Sequence, residues 1–573
     1  MAKPPGNSMH IDRIPSHQGS HVSYLLRQSY RDQGKVKHRT LANLTPLPMA
    51  AIEAIRAILK GRLVGDLETA FDVERSRPHG HVLAVLGVVR QLGLDKLLAT
   101  RPQRERELVV AMVVRQVIKP SSKLAYARSW QNTTLGSLLG VEDADEADLY
   151  QALDWLHERQ MQVEAQLAQR HLHNGSLVLY DLTSTVVEGR RCPLAKIGYS
   201  RDRKKGTLQV EFGLLADWEG RPVAVEVFPG NTSDPKTVPV QVEKLKQRFG
   251  LEQLVLVGDR GMLTSARIDV LKELGGIDWV SALRSVQIQA LVDSGVLQLG
   301  LFDQQNLAEM VSPNFPGERL VVCKNQELAH ERARKRQDLL AATERDLEKI
   351  ANSVKSGRIR EADRIGIRVG KVLNRHKVGK HFEVEISEQS LTFRRREENI
   401  AQEAALDGIY AIRSSLSKEH SSAADLVRIY KLLARVERAY RTLKSVDIRV
   451  RPLRHHLERR VRAHIFLCTL AYYVRWHMER AWAPLLFRDE TPPISDDPVA
   501  KAQRSPAALE KVHSHQLSDG TPAYDFSGLL EELATLTRQE IRLSGSDTTF
   551  PKLTTPTPLQ QRAFSLLGLP IAL

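Results

Sequence analysis

Two short apolar runs, each carrying or followed by an aspartate, constrain the fold of this chain most strongly. The first is Leu177–Thr185, which contains Asp181, and the second is Leu254–Gly258, which ends directly before Asp259. Runs of this length and composition predict buried β-strands. An ionised carboxylate beside a β core is costly unless it is paired or binds a metal. The two aspartates are therefore candidate ligands of a hard cation.

A basic amphipathic helix is predicted further along the chain, over about Ala423–Ser445, because apolar residues recur there at helical spacing without Gly or Pro. Tyr430, Glu437 and Lys444 are seven residues apart. A seven-residue step drifts by only ~20° around a helix, so these side chains should form a row over roughly 21 Å of one face. Three arginines lie beside this row: Arg435, Arg438 and Arg441.

This helix has two interpretations. Taken alone, it is a solvated charged helix. Together with Asp181 and Asp259, Glu437 completes a set of three carboxylates, and oxygen ligands of this kind suit magnesium or manganese.

Composition narrows the class of protein. A chain of 573 residues is too long for one core, and its net charge of +15 and pI near 9.6 favour a polyanionic partner. The three cysteines are isolated, so neither disulfides nor a zinc module is expected. There is no signal-peptide pattern, and the longest apolar run, Ile465–Val474, is too short for a bilayer. These features predict a cytoplasmic protein without a membrane partner.

The order of elements predicts an α/β fold. Between residues 174 and 285 the patterns give β-β-β-α-β-α-β, with acids after the first and fourth strands. That is the order of an RNase H-like catalytic core, here with a large insertion and preceded by a mostly helical N-terminal domain. The predicted divisions are a disordered lead-in 1–22, a basic hairpin plus helical DNA-binding domain 23–173, core 174–285, insertion domain 286–405, core 406–490 and a partly disordered C-terminal tail 491–573.

The sequence of the helical N-terminal part has two interpretations. Short helices joined by Gly-containing turns, such as Thr134–Leu139 and Asp145–His157, are compatible with helix-turn-helix DNA binding and equally with a helical bundle. The charged runs Arg201–Lys205 and Arg332–Arg336 could track phosphates, but such runs are expected more often to be solvated faces. Glu211 and Glu226, on predicted strands, are expected to be solvent-facing or ion-paired, and Trp279 is expected in the core.

In these motifs the chain resembles the DDE transposases of bacterial insertion sequences, in the IS-four-like superfamily. That group carries the signature Tyr-x-x-Arg-x-x-x-Glu-x-x-x-x-x-x-Lys, which Tyr430, Glu437 and Lys444 match. Leu433 departs from it at the arginine, which contacts DNA in the family; Arg435 and Arg438 are the nearby candidates for that contact. The resemblance covers roughly residues 175–480. The 178-residue separation of Asp259 from Glu437 is similar to the large insertion that this superfamily carries there.

The resemblance implies a two-metal-ion mechanism with Mg²⁺ or Mn²⁺. Asp181 would bridge both ions, Asp259 would bind one and Glu437 the other, and water would free a 3′-hydroxyl that then attacks target DNA. Lys444 and Tyr430 would contact the DNA backbone near the cut. The implied partners are double-stranded DNA, as the element's terminal inverted repeats and the target, and a second copy of the chain in a homodimer on paired ends.

Two other classes fit the residues. One is an RNase H-like nuclease or resolvase that cuts without joining, which needs the same carboxylates. The other is a non-catalytic DNA-binding regulator in which the helical N-terminal half acts and the acids are incidental.

Overall fold

The computed structural model describes residues 9–15, 22–32, 35–60, 71–202, 204, 206–303, 305–543 and 549–573. Described residues before Arg77 form one compact unit with Arg538–Thr554 and Leu573, and Arg77–Thr537 with Thr555–Ala572 forms a second. Parts of three predicted segments lie outside the described residues. They are residues 1–8 and 16–21 of the lead-in, Gly34 of the hairpin, and Arg203 and Lys205 of the charged run.

The smaller unit is built on two three-stranded sheets. Strands β1 (Met9–Pro15), β2 (Val22–Asp32) and β3 (Lys35–Asn43) form one, followed by helix α1 (Met49–Leu59). The other has the order β17-β16-β4, formed by β4 (Phe71–Pro78), β16 (Thr537–Leu543) and β17 (Thr549–Leu553). The predicted hairpin is confirmed by β2 and β3.

Two expectations for this unit were wrong. Residues 9–15, assigned to a disordered lead-in, form β1, because they pair with Val22–Gln28. Residues 71–78, assigned to a helical region, form β4 because β16, from near the C-terminus, completes a sheet with them. In both cases the pairing partner lies outside the local sequence pattern.

The larger unit begins with six helices: α2 (Gly80–Gln91), α3 (Leu94–Leu98), α4 (Arg104–Ile118), α5 (Lys123–Ala127), α6 (Leu135–Leu139) and α7 (Glu146–His171). Helix α4 is buried on all sides from Leu108 to Val114, as its continuous apolar sequence requires. An Asp145 capping box begins α7.

A mixed nine-stranded sheet follows, in the order β11-β12-β15-β10-β9-β5-β7-β6 with β8 paired to β7. Its strands are β5 (Ser176–Val186), β6 (Lys196–Ile197), β7 (Leu208–Asp217), β8 (Pro222–Pro229), β9 (Leu254–Gly258), β10 (Ile277–Ala282), β11 (Leu307–Met310), β12 (Arg319–Lys324) and β15 (Ile409–Ser414). Helices α8 (Asp234–Glu243, continued by a π-helical turn to Arg248), α9 (Ser265–Leu274) and α10 (Ser285–Asp293) connect them. The mixed α/β character predicted from sequence is confirmed.

This sheet takes in residues that were predicted as insertion. Strands β11 and β12 lie within 286–405, yet they extend the central sheet because β12 pairs antiparallel with β15. Trp279 is 3% exposed, so its predicted core position is confirmed. Glu226 is ion-paired, as expected, with Lys244 and Arg462 at 3.0 Å each.

Residues 326–405 have a hydrophobic core of their own. They form α11 (Gln326–Lys355), α12 (Ala362–His376), the hairpin β13 (Phe382–Ile386) and β14 (Leu391–Arg395), and α13 (Glu397–Ala405). Buried side chains of these elements, among them Leu340, Leu347, Ile365 and Phe382, make one cluster. By contrast, the N-terminal helices of the larger unit, most of the central sheet and the C-terminal helices share a single cluster.

The predicted helix at 423–445 is two helices. Helix α14 (Ala423–Lys431) ends and α15 (Leu433–Lys444) begins around Leu432, which keeps right-handed helical angles. The long helix α16 (Glu458–Ala481) is buried along nearly its whole length. It packs against α7, α4 and β8.

The C-terminal region is more ordered than its sequence suggested. It forms α17 (Pro506–Ser514), α18 (Phe526–Ala534) and α19 (Pro558–Leu567), with side-chain N-caps from Ser505, Asp525 and Thr557. The prediction of partial disorder was wrong for these residues because their apolar faces reach the main core, where Phe526, Leu529 and Phe564 are buried. None of the helices in the described residues is long and apolar enough to cross a membrane.

Candidate active site

Strand register brings Asp181 and Asp259 side by side. Strands β5 and β9 are parallel neighbours with Tyr180 opposite Gly258. Each aspartate directly follows one member of that pair, and neighbouring strands lie about 4.8 Å apart. The structure thus brings together the two aspartates that the sequence singled out.

Helix α15 carries Glu437 and is tied to the same point of the sheet. The Tyr440 hydroxyl, one turn beyond Glu437, donates to the carbonyl oxygen of Asp181 and accepts from the N–H of Leu214 at 3.0 Å. Asp181 and Leu214 face each other in the β5–β7 register. The Tyr440 ring packs edge-on against Phe212, with centroids 5.5 Å apart. These contacts hold the glutamate-bearing helix at the level of Asp181.

Tyr430, at the end of α14, contacts the second aspartate. Its hydroxyl donates to Oδ1 of Asp259 at 3.4 Å. Burial, and next the charge of Asp259, raise the pKa of Tyr430, so the phenol stays a donor at neutral pH. The break at Leu432 separates Tyr430 from Glu437 and Lys444, which were predicted on one continuous helix. All three nevertheless line one cavity.

Lys444 lines the same cavity and forms an ion pair with another residue of the chain. Its Nζ lies 2.7 Å from Asp202 Oδ1 and donates to Thr183 Oγ1 at 3.1 Å. Burial lowers the pKa of Lys444, against the opposing effect of Asp202. Arg451 Nη1 reaches the other Asp202 oxygen at 2.5 Å.

Arg201 supplies a second cation beside Asp181. Its guanidinium pairs with Glu211 Oε2 at 2.7 Å and Asp234 Oδ1 at 2.5 Å. Burial raises the pKa of Glu211 to about 7, although Arg201 acts in the opposite direction. Glu211 is therefore ion-paired, one of its two expected states.

The cavity that these side chains enclose has a volume of about 880 Å³. Its lining includes six carboxylates and four cationic side chains. The carboxylates are Asp181, Asp202, Asp259, Glu327, Glu331 and Glu437, and the cations are Arg201, Lys431, Lys444 and Lys501. A polyanionic substrate would therefore meet an excess of negative charge unless further cations were present.

The chemistry of these donors fits divalent cations. Burial raises the pKa of the Asp181 carboxyl to about 7, and the charges of Asp259 and Glu437 act in the same direction. Carboxylates that destabilise one another in this way are stabilised by a shared cation, and hard oxygen donors suit Mg²⁺ or Mn²⁺. Within the described residues, however, no three His, Cys, Asp or Glu side chains converge closely enough to hold a metal ion. The three acids surround the cavity without meeting at one point.

The three predicted DNA-binding arginines do not line this cavity. Arg435 points to the opposite side of α15, where its Nη1 donates to the carbonyl oxygen of Trp218 at 2.5 Å and its guanidinium lies 5.6 Å from the centre of that ring. Arg438 and Arg441 are exposed. Leu433, at the position of the signature arginine, is 9% exposed and packs into the main core.

Sequence reasoning missed several residues of the site. Glu327 and Glu331, one turn apart on α11, and Lys501, from the presumed tail, line the cavity although they are remote in sequence from the acids. No local pattern marks them. Tyr440 could have been noticed, because a tyrosine in the apolar stripe of α15 needs a partner for its hydroxyl.

Comparison with known families decides the assignment. The model described as Transposase DDE domain matches residues 174–474, which is more than half of the chain and includes Asp181, Asp259 and Glu437. The chain belongs to the DDE transposase family. The model described as IS1634 family transposase, N-terminal domain, matches residues 11–66 and places this transposase among those of insertion sequences. The resemblance noted from sequence is confirmed.

Other comparisons are more distant. Among curated proteins, none matches this sequence significantly. Among solved structures, the piggyBac transposase synaptic complex with hairpin DNA aligns with a TM-score of 0.33 at 10% identity, over 66% of each chain. The present chain thus spans just under two thirds of that transposase chain.

Membership in the DDE transposase family implies an enzyme that cleaves and transfers DNA, and the family typically uses divalent metal ions.

Proposed function

We propose that this DDE transposase binds the ends of its insertion sequence and catalyses metal-dependent strand cleavage followed by strand transfer, with Asp181, Asp259 and Glu437 as the catalytic carboxylates. One observation carries the proposal. The register of β5 and β9 and the Tyr440 anchor of α15 gather these three acids around one cavity.

The three acids would hold two divalent ions, Mg²⁺ or Mn²⁺. Such ions supply a lowered pKa for a bound water and neutralise charge on the scissile phosphate. Asp181 lies near enough to Asp259 and Glu437 for their charges to raise the pKa of its carboxyl, and its Oδ1 accepts a hydrogen bond from the N–H of Leu182 at 2.8 Å. Tyr430 orients Asp259 through its hydroxyl.

The cationic residues would act on the DNA backbone. Lys444 is already positioned by Asp202 and Thr183, so an entering phosphate would find its ammonium in place. Since Arg435, Arg438 and Arg441 lie outside the cavity, any contact they make with DNA would be away from the scissile phosphate. We therefore propose that these three arginines contact DNA only away from the scissile phosphate.

The proposal includes an RNase H-like core. Support comes from the central strands β10-β9-β5-β7-β8. Strands β5, β9 and β10 are parallel, β7 is antiparallel to β5, and β8 is antiparallel to β7. The acids at β5, after β9 and on a later helix add to this support. The proposed assembly is a homodimer on paired double-stranded DNA ends, acting in the cytoplasm.

An excision assay tests the function. The wild-type chain, Glu437→Gln and Glu331→Gln would be compared in Mg²⁺ on a donor that carries the DNA flanking the chain's own gene. We expect excision by the wild type and loss of at least ~100-fold for Glu437→Gln, since a lost metal ligand removes charge stabilisation of the transition state. DNA binding should persist in a mobility-shift assay.

The control Glu331→Gln changes an acid in the same cavity that has no assigned role, and it should excise within a few fold of wild type. Excision at wild-type rates by Glu437→Gln would contradict the carboxylate assignment. Cleavage without joined products in the wild type would instead identify a nuclease.

A further inference from the structure

A segment of the C-terminal region crosses the edge of the cavity. This segment, Ser495–Ala502, is here called the C-terminal strap. Three carbonyl groups of the strap accept hydrogen bonds from side chains of the larger unit. Arg428 Nη2 donates to Ser495 O at 3.4 Å, Asn325 Nδ2 to Val499 O at 2.7 Å, and Lys431 Nζ to Ala500 O at 2.7 Å.

Two further contacts fix its conformation. Asn306 Nδ2 donates to Asp497 Oδ2 at 2.6 Å, and the other oxygen of Asp497 accepts from the N–H of Val499 at 2.8 Å. Val499 is 1% exposed, so the strap is seated by an apolar side chain as well as by polar groups. The strap therefore has one defined path along the cavity wall.

That path brings Lys501 into the lining of the cavity that holds the three acids. The other three cations of the lining are already engaged. Arg201 pairs with Glu211 and Asp234, Lys444 pairs with Asp202, and Lys431 donates to carbonyls of the strap itself.

Lys501 is different, because it is exposed and makes no hydrogen bond or ion pair with any part of the chain that the structure describes. A lysine placed among carboxylates and left without a partner keeps its ammonium available for an anionic ligand. An ammonium binds phosphate as a point charge, which requires proximity but no fixed orientation.

We propose that Lys501 is a substrate-positioning residue that binds a backbone phosphate of the DNA strand in the cavity, and that the C-terminal strap exists to hold it there. This inference rests on the proposed function, since it takes DNA as the occupant of the cavity. It adds a contact from a region remote from the catalytic carboxylates in sequence.

Binding of a labelled duplex carrying the element end tests the proposal, with the full chain titrated at several salt concentrations in EDTA. Lys501→Ala should weaken binding about ten-fold at low salt and reduce the slope of log K against log[salt] by about 1. Lys501→Arg should restore most of the affinity. The matched control is Arg504→Ala, which removes an equal charge three residues away, outside the cavity lining, and should change affinity less than two-fold.

The strap is tested separately with Asn306→Ala, which removes the hydrogen bond to Asp497 from a side chain that does not line the cavity. It should weaken binding in the same direction as Lys501→Ala, and the double variant should be no weaker than Lys501→Ala alone. Tighter binding by Asn306→Ala would overturn the proposal, because the strap would then act as an obstruction. Equal effects of Lys501→Ala and Arg504→Ala would also overturn it.

Glu437→Gln, assayed for cleavage in parallel, separates the two hypotheses. Cleavage by that variant would refute the proposed function, whereas loss of its cleavage with normal binding by Lys501→Ala would refute only the role of Lys501. A wild-type chain that binds no duplex would refute both.

Discussion

At the residue scale, the site depends on side chains that fix other side chains. Tyr440 is buried with its hydroxyl between the Asp181 carbonyl and the Leu214 N–H. Tyr430 and Thr183 hold Asp259 and Lys444 in the same manner. The acids alone would define the chemistry, but these hydroxyls help to position the acids and Lys444.

We expect Tyr440→Phe to lower the free energy of unfolding by about 1–3 kcal/mol, because two buried backbone groups lose their partner. Excision should fall as well, since α15 is no longer tied to β5. Denaturant unfolding and the excision assay measure the two effects. Tyr199→Phe is the control, because that ring is 83% exposed and its hydroxyl should contribute little. Unchanged excision in a stable Tyr440→Phe variant would argue against the anchoring role.

At the element scale, the sheet is joined by pairings between distant segments and by a buried ion pair. Arg413 on β15 lies 2.6 Å from Glu318, directly before β12, and their side chains are 3% and 2% exposed. This pair links β15 to the segment that was predicted as insertion. A charge left alone at such a site is costly, whatever the net contribution of the intact pair.

Glu318→Gln should therefore destabilise the protein by about 3–5 kcal/mol, since the Arg413 charge loses its counter-charge in a buried site. The exposed pair Arg394–Glu383 on the β13–β14 hairpin provides the control, and Glu383→Gln should leave the unfolding midpoint unchanged. Thermal unfolding of the two variants compares them directly. Similar midpoints would mean that the Glu318 site is solvated.

At the scale of the whole molecule, the segment 326–405 has its own core, while most of the larger unit shares another. Segments with separate cores can open independently of one another. The local stability of α11, which forms part of the cavity wall, can therefore differ from that of the sheet that carries Asp181 and Asp259.

Leu347→Ala should consequently speed amide hydrogen exchange within 326–405 only. Leu347 is fully buried in the smaller cluster, and its truncation should cost about 2–5 kcal/mol there. Leu256→Ala, in β9 of the main core, is the comparison and should raise exchange across the central sheet. Exchange mapped by mass spectrometry on both variants would show whether the two cores respond separately; a spread of the Leu347 effect into β5 and β9 would contradict it.

The net charge of +15 also acts at this scale. Affinity for duplex DNA should fall linearly on a log–log plot against salt, because each phosphate contact releases condensed counterions. Titrations of the wild type at several salt concentrations give the slope. A flat dependence would argue against DNA as the substrate.

The sequence by itself determined the strands that carry Asp181 and Asp259, the helical character around Glu437 and the family. The strands and the helix follow from short-range periodicity. The two aspartates stand out because an ionised carboxylate beside a β core is costly unless it is paired or binds a metal. Only the tertiary structure decided that β11 and β12 belong to the central sheet and that Arg435 faces Trp218. It also decided that Lys501 reaches the cavity. Each of these depends on contacts between residues remote in the chain, whose energies no local pattern contains.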